Sequence, residues 1–271
     1  MALAMSAEAL PCDGLRVALF SGNYNYVRDG ANQALNRLVG YLLRQGAKVR
    51  VYSPTVDEPA FEPTGDLVSL PSIAIPGRAE YRLSTGLSAA VLRDLDEFAP
   101  NLLHVSSPDI SSHRAVTWAR KRGLPVVASV HTRFETYFRY YGLTWFEPVM
   151  EGILRRFYQR CDALVAPSDS FVEVLRQQGM NDDIGLWSRG IDREQFHAGR
   201  RSMEWRRDLG IADEEFVVGF HSRLVMEKGL DVFADAIDEL RRRGVAHRVL
   251  IIGDGPAKGW LESRLPDAVF A

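Results

Sequence analysis

Phe216-Val217-Val218-Gly219-Phe220-His221-Ser222-Arg223-Leu224-Val225-Met226-Glu227-Lys228-Gly229 is the stretch that decides the fold. Its first five residues form the short apolar and β-branched run expected of a buried strand. A basic loop follows, and from Gly229 to Arg243 apolar residues return at helical spacing. A strand that runs through a loop into a helix is the unit of a parallel sheet, because a parallel partner is reached only by a crossover. Arg248 to Ile252 supplies that partner strand, and Val269 to Ala271 opens another.

Upstream the same alternation recurs. Arg16–Phe20, Lys48–Tyr52, Leu102–Val105, Val126–Val130, Ala163–Ala166 and Gly185–Trp187 read as strands. A helix from about Gly30 to Gly46 and others over Leu87–Phe98, Ser112–Arg122, Phe146–Gln159 and Ser168–Gln178 lie between them. The chain is therefore α/β, with mainly parallel sheets covered on both faces and sites beyond the carboxyl ends of the strands. Periodicity lapses over Arg189–Ser202, which reads as a linker between a Rossmann-like domain over 1–195 and the beginning of a second over 196–271. A unit of about 70 residues buries only ~60% of its surface, so the second doubly wound domain is expected to be cut off.

The net charge of −2 gives no general pull toward nucleic acid. Cys12 and Cys161 stand apart without histidine spacing, which suggests neither a zinc site nor a disulfide framework. The first fourteen residues lack a basic start, and no run reaches the ~20 apolar residues of a membrane span. A cytoplasmic protein is expected, at most resting on the inner face of a membrane.

Arg223 and Lys228 lie in a loop and first helical turn, where free N–H groups and the helix dipole already favour an anion. A diphosphate is the guest that two such cations suit; the competing reading is a solvated helix start. His131 follows a buried strand and is either a ligand contact or a core-edge histidine bonded to a backbone carbonyl. The first loop, Gly22 to Gly30, offers Gly30 and its neighbour Asp29 at a helix start but lacks the three-glycine fingerprint, which disfavours a Rossmann oxidoreductase. Asp94-Leu95-Asp96 mimics a metal-binding pair, yet on a helix two such side chains diverge by ~200°. They read as a solvated face, and no metal is expected. Arg155, Arg156, Arg160 and Arg241–Arg243 read likewise as solvated helix faces. The dense run Arg133 to Tyr141, continuing to Trp145, either lines an acceptor pocket, lies on lipid headgroups, or merely caps the first domain.

Ser222-Arg223-Leu224-Val225-Met226-Glu227-Lys228-Gly229 resembles the Arg-x-x-x-Glu-Lys-Gly signature of the retaining GT-B glycosyltransferases of the fourth sequence family. That family includes mannosyltransferases acting on lipid-linked acceptors and sulfoquinovosyldiacylglycerol synthases. Val130-His131-Thr132, Ala166-Pro167-Ser168, Trp187-Ser188-Arg189-Gly190-Ile191-Asp192 with Phe196-His197, and Gly253-Asp254-Gly255-Pro256 are similar to its other motifs, in the same order. Ser222 stands where many members have Gly, and Ala198 where Pro is usual. The pair of glutamates that members carry further along the second domain is expected beyond residue 271.

The resemblance implies a GT-B fold of two Rossmann-like domains, an acceptor-side first and a nucleotide-sugar-binding second. It implies transfer of a hexose, from GDP-mannose foremost and a UDP-sugar as alternative, to a lipid or glycan hydroxyl with retention and without a cofactor. His131, Arg223 and Lys228 are the implied catalytic residues. Asp29, Gly30, Thr132, Arg189, Gly253, Gly255 and Pro256 are the implied substrate contacts, with the first loop closing over donor and acceptor. A catalytically silent GT-B binding module is the other reading.

Overall fold

Val17, Ala18, Leu19 and Phe20 are all buried along β1 (Arg16–Phe20), so this strand has core on both faces, as a central parallel strand must. A computed structural model of the chain describes residues 10–75, 78–136 and 144–271. It divides into two compact units, Met1–Gly190 and Ile191–Ala271.

In the first unit β1 leads through a loop to α1 (Gly30–Arg44) and β2 (Lys48–Ser53). Next come β3 (Asp66–Ser69), β4 (Ser72–Ile75), β5 (Arg78–Ser84), α2 (Ala89–Phe98), β6 (Leu102–Val105) and α3 (Ile110–Arg120). The unit closes with β7 (Val126–Ser129), α4 (Glu147–Tyr158), β8 (Ala163–Ala166), α5 (Asp169–Gln177) and β9 (Ile184–Leu186). Seven strands form one sheet in the order β3-β2-β1-β6-β7-β8-β9, and every neighbouring pair is parallel. The order reverses between β1 and β6, and such a switch point opens a crevice at the carboxyl ends of the strands.

Alternation along β1 sends Val17 and Leu19 toward α1, where Leu35 and Val39 meet them. Ala18 and Phe20 join the opposite layer with Leu95, Val116 and Phe157. Phe20 stacks on Tyr52 at 4.7 Å. The helices start where their caps dictate: Asp109 accepts from Ser112 N, so α3 begins at Ile110 and not at Ser112. Strands β3 to β5 fall in a stretch with no predicted element. β3 is the half-exposed edge of the main sheet, and β4 and β5 form a separate antiparallel pair, positions where little apolar pattern is required.

The second unit is built on β10 (Val217–His221), β11 (Arg248–Ile252) and β12 (Val269–Phe270), three parallel strands in that order. α6 (Met203–Asp208) precedes them, and α7 (Leu230–Arg242) and α8 (Lys258–Arg264) are the crossovers. Leu224, Leu230, Ala234, Ile237, Val249, Ile251, Leu261 and Leu265 form its core.

Two surface assignments hold in the main and are amended at single residues. Asp94 accepts from Arg50 Nη1 at 2.9 Å and from the buried Tyr52 hydroxyl at 2.8 Å, while Asp96 pairs with Arg122 at 2.9 Å. Asp94 is thus a half-buried tie to a strand, whereas Asp96 stays on the solvated face, its pair with Arg122 lying in solvent. Arg155 donates to Gln178 O at 2.7 Å and Arg160 to Thr117 Oγ1 at 2.6 Å, so these two arginines tie neighbouring segments from the surface, while Arg156 and Arg241–Arg243 are exposed as expected.

Candidate functional site

The carboxyl ends of β1, β6, β7 and β9 bring the candidate residues of the first unit together. The loop after β1 is packed in place: Tyr24, Asn25 and Tyr26 are buried. Tyr24 donates to Thr64 O and Tyr26 to Gly22 O, both at 2.6 Å. A Cβ on Gly22 would stand 3.2 Å from Ser107 Oγ and Asp109 Oδ2, so glycine lets this loop meet the one after β6 at the switch point. Asp29 caps α1, its Oδ1 accepting from Ala31 N and Asn32 N at 2.9 Å. That amends the expectation of free N–H groups around Gly30. The helix start already carries a carboxylate, which leaves little attraction for a phosphate.

His131 follows β7 directly. Its Nδ1 and Nε2 are both buried and neither has a hydrogen-bond partner, so the ring is not bonded to a backbone carbonyl. Trp187 meets it edge-on at 5.4 Å. Burial pushes the imidazole pKa down to about 3, with Arg189 and then His104 adding to the shift. A neutral imidazole carries one N–H donor and one acceptor, the pair suited to a hydroxyl. Leaving both buried atoms unmatched costs free energy that a ligand could recover.

Arg189 secures this loop. Its Nη2 donates to His131 O at 3.2 Å. Its backbone is left-handed at φ +68°, followed by Gly190 at +66°, a conformation that an arginine adopts only when its surroundings impose it. Arg189 Nε is also buried without a partner. Burial lowers its pKa, while the negative Asp29 works the other way. Asp29 therefore lies within electrostatic reach of Arg189.

Beneath His131, the buried His104 meets Ser129 Oγ at 3.0 Å, and burial lowers its pKa to about 4. Sequence reasoning missed His104, Ser129 and the part played by Trp187. The available signal was a histidine inside the apolar run Leu102–Val105.

In the second unit the basic turn is set by two glycines. Gly253 and Gly255 have φ of +140° and +157°, and a Cβ on them would fall 2.0 Å from Ser222 O and 2.4 Å from Leu224 O. Leu224 N donates to Asp254 O at 2.9 Å and Ala257 N to Leu224 O at 3.0 Å. The two loops are thus laced backbone to backbone, and only glycine permits the approach. Pro256 is exposed beside them. Lys228 ends a 3-10 turn over Met226–Lys228, and left-handed Gly229 separates it from α7. It precedes the helix and is not part of its first turn, because Gly229 reverses the chain there. Arg223 and Lys228 are exposed, and neither joins an ion pair among the described residues. The aromatic run is described only in part: Tyr137, Phe138, Arg139, Tyr140 and Tyr141 lie outside the described residues.

The sequence profile of Glycosyltransferase Family 4 matches residues 28–195, from the first loop to just past Arg189. The chain belongs to that family. It is 27% identical over 264 residues to a GDP-mannose-dependent alpha-mannosyltransferase of Corynebacterium glutamicum, covering 94% of this chain and 61% of that one. To the sulfoquinovosyl transferase SQD2 of Arabidopsis thaliana it is 29% identical over 252 residues, covering 91% and 48%. The chain therefore spans 61% and 48% of the length of these two family relatives. Sucrose-phosphate synthase from Thermosynechococcus elongatus superposes with a TM-score of 0.66 at 14% identity, over 95% of this chain and 70% of that one. WaaG, a glycosyltransferase involved in lipopolysaccharide biosynthesis, does so with a TM-score of 0.56 at 16% identity, over 94% and 69%. These likenesses establish the α/β GT-B fold.

Proposed function

We propose that the protein transfers a hexose from a nucleotide sugar to a hydroxyl of a lipid or glycan acceptor, with retention of configuration. The observation that carries this reading is the pair Arg223 and Lys228, exposed on a turn whose backbone Gly253 and Gly255 hold fixed. Departure of a nucleoside diphosphate concentrates negative charge on the leaving oxygen. Cations held ready for that charge lower the barrier without reorganising at the moment of reaction.

In the first unit, a neutral His131 suits a contact to a sugar hydroxyl, and its depressed pKa argues against a role as general base or cation. Arg189, which holds the His131 carbonyl, and the adjoining Thr132 serve as orienting and substrate-binding groups, and Asp29 balances the charge of Arg189. Proton removal from the acceptor then falls to an oxygen of the departing phosphate, so the protein's part is positioning and charge stabilisation.

GDP-mannose is the favoured donor, supported by the mannosyltransferase relatives, and a UDP-sugar is the alternative. We place the protein on the cytoplasmic side, at most resting against the inner face of a membrane. No helix among the described residues is long and apolar enough to cross one. Isothermal titration with GDP-mannose, GDP, UDP-glucose and UDP tests the reading. Heat with the guanine ligands alone supports GDP-mannose, and heat with the uracil ligands alone moves the donor to a UDP-sugar. Silence with all four from a chain carried past residue 271, far enough to include the expected pair of glutamates, overturns the transferase reading in favour of a catalytically silent module.

A further inference from the structure

No hydrogen bond sets the orientation of the His131 ring, because both of its nitrogens are buried without a partner. A functional histidine is commonly oriented by a bond from one ring nitrogen to a carbonyl or carboxylate. Here the backbone is pinned instead. Val130 N donates to Val165 O at 2.8 Å on one side, and Arg189 Nη2 holds the His131 carbonyl at 3.2 Å on the other. The two side-chain torsions remain, and packing must settle them.

Trp187 supplies a ring contact, with 5.4 Å between centroids and 67° between planes, within the edge-to-face range that aromatic rings prefer. The indole is itself anchored. Its backbone N–H donates to Ala166 O at 2.8 Å, and its side chain packs against the core that holds Val17, Leu19 and Leu35. Trp187 stands two residues before Arg189, whose left-handed backbone at φ +68° turns the chain there. The segment after β9 therefore grips residue 131 twice, by its ring and by its carbonyl.

We propose that Trp187 is a positioning residue: its indole fixes the rotamer of His131 and so fixes where the imidazole meets a sugar hydroxyl. A hydrogen bond from the fold would orient the ring at the expense of one nitrogen. An aromatic edge orients it and consumes neither, so the N–H donor and the acceptor nitrogen both stay available to a ligand. Trp187 acts through His131 and not on the sugar itself. The inference rests on the transferase reading, but the ring contact is tested without transfer.

NMR on the protein without donor or acceptor, with the His131 signals assigned through His131→Gln, gives the first readout. The imidazole protons are expected to show nuclear Overhauser contacts to the Trp187 indole and one sharp set of signals. Trp187→Leu is expected to broaden or split that set, and Trp187→Phe to keep it single. Kinetics on a chain carried past residue 271, far enough to include the expected pair of glutamates, give the second. Trp187→Leu is expected to lower kcat by about tenfold or more with KM within about threefold, and Trp187→Phe to recover most of the rate. An indole with a merely structural part would lower the thermal midpoint without that split between kcat and KM. Three results overturn the proposal: no Overhauser contact in the wild type, His131 signals that stay single and sharp in Trp187→Leu, or a kcat of that variant within about twofold of the wild type. An extended wild type that transfers no sugar would instead sink the transferase reading, and the catalytic consequence of Trp187 with it, while the orientation of His131 stands or falls by NMR.

Discussion

Arg189 Nη2 donates to the carbonyl oxygen of His131 across 3.2 Å, so the loop after β9 holds the loop after β7 from behind and leaves both imidazole nitrogens unengaged. Arg189→Ala should release that loop. With no partner for its carbonyl, His131 is expected to sample several positions, and a 1 Å misplacement of such a group can cost about 10²-fold. Transfer should fall by roughly ten- to a hundredfold in kcat, with KM little altered, and Arg189→Lys should restore only part because one ammonium cannot reproduce the fork. Initial rates for the two variants check this. An alanine variant within twofold of the wild type would remove Arg189 as a positioning residue.

His104 and His131 make stability depend on pH. Unfolded, a histidine titrates near 6.5, whereas His104 in the fold takes a proton only near 4 and His131 near 3. The unfolded chain therefore binds protons first as pH falls, so the stabilisation is whole above about 6.5 and drains away below it, down to the folded values. For His104 the loss is on the order of 3 kcal/mol. Thermal midpoints should drop between pH 6.5 and 4, and His104→Gln, which keeps a hydrogen-bonding group near Ser129, should flatten that drop. An unchanged slope in the variant would show that His104 is not the titrating group. Over the same argument, the rate of transfer should carry no ionisation from His131 between pH 5 and 8.

How much of this was legible in the sequence differs between the two sheets' cores and their rims. Burial on both faces forces Arg16–Phe20 and Arg248–Ile252 to be continuous apolar runs, and those are visible without coordinates. Edge strands such as Asp66–Ser69 need only half a pattern, so they pass unnoticed. Asp94 looked solvated because its partners, Arg50 and Tyr52, arrive from a strand more than forty residues away. The positions of Arg223, Lys228, His131 and Arg189 were readable from motifs. The left-handed turn of Arg189 and the pairing of His104 with Ser129 were not, since both arise where strands distant in sequence become neighbours.

Gly253 and Gly255 should tolerate no side chain. Alanine at Gly253 would place its Cβ 2.0 Å from Ser222 O, and alanine at Gly255 would place it 2.4 Å from Leu224 O. Both obstacles are backbone, so relief requires the laced loops to separate and their hydrogen bonds to break. Each change should cost at least about 2 kcal/mol, and hydrogen exchange should quicken first at Leu224 N and Ala257 N. Wild-type protection at those amides would show that the approach is less tight than described.

Lys228→Ala and Arg223→Ala should do the opposite, leaving the fold intact while removing function. Both side chains are exposed, so thermal midpoints should move little. If the pair stabilises a departing diphosphate, each loss should lower kcat by about 10²-fold or more, the range seen when one preorganised group facing developing charge is deleted. KM should rise less, because the ground-state diphosphate already has some of its charge matched. Lys228→Arg should recover part of the rate, since a cation remains at that position with altered geometry. Added salt should slow the wild type more than the alanine variants, for exposed charges are screened within about a Debye length. A Lys228→Ala enzyme that turns over at the wild-type rate with the same salt dependence would mean that no anion is held there in the transition state.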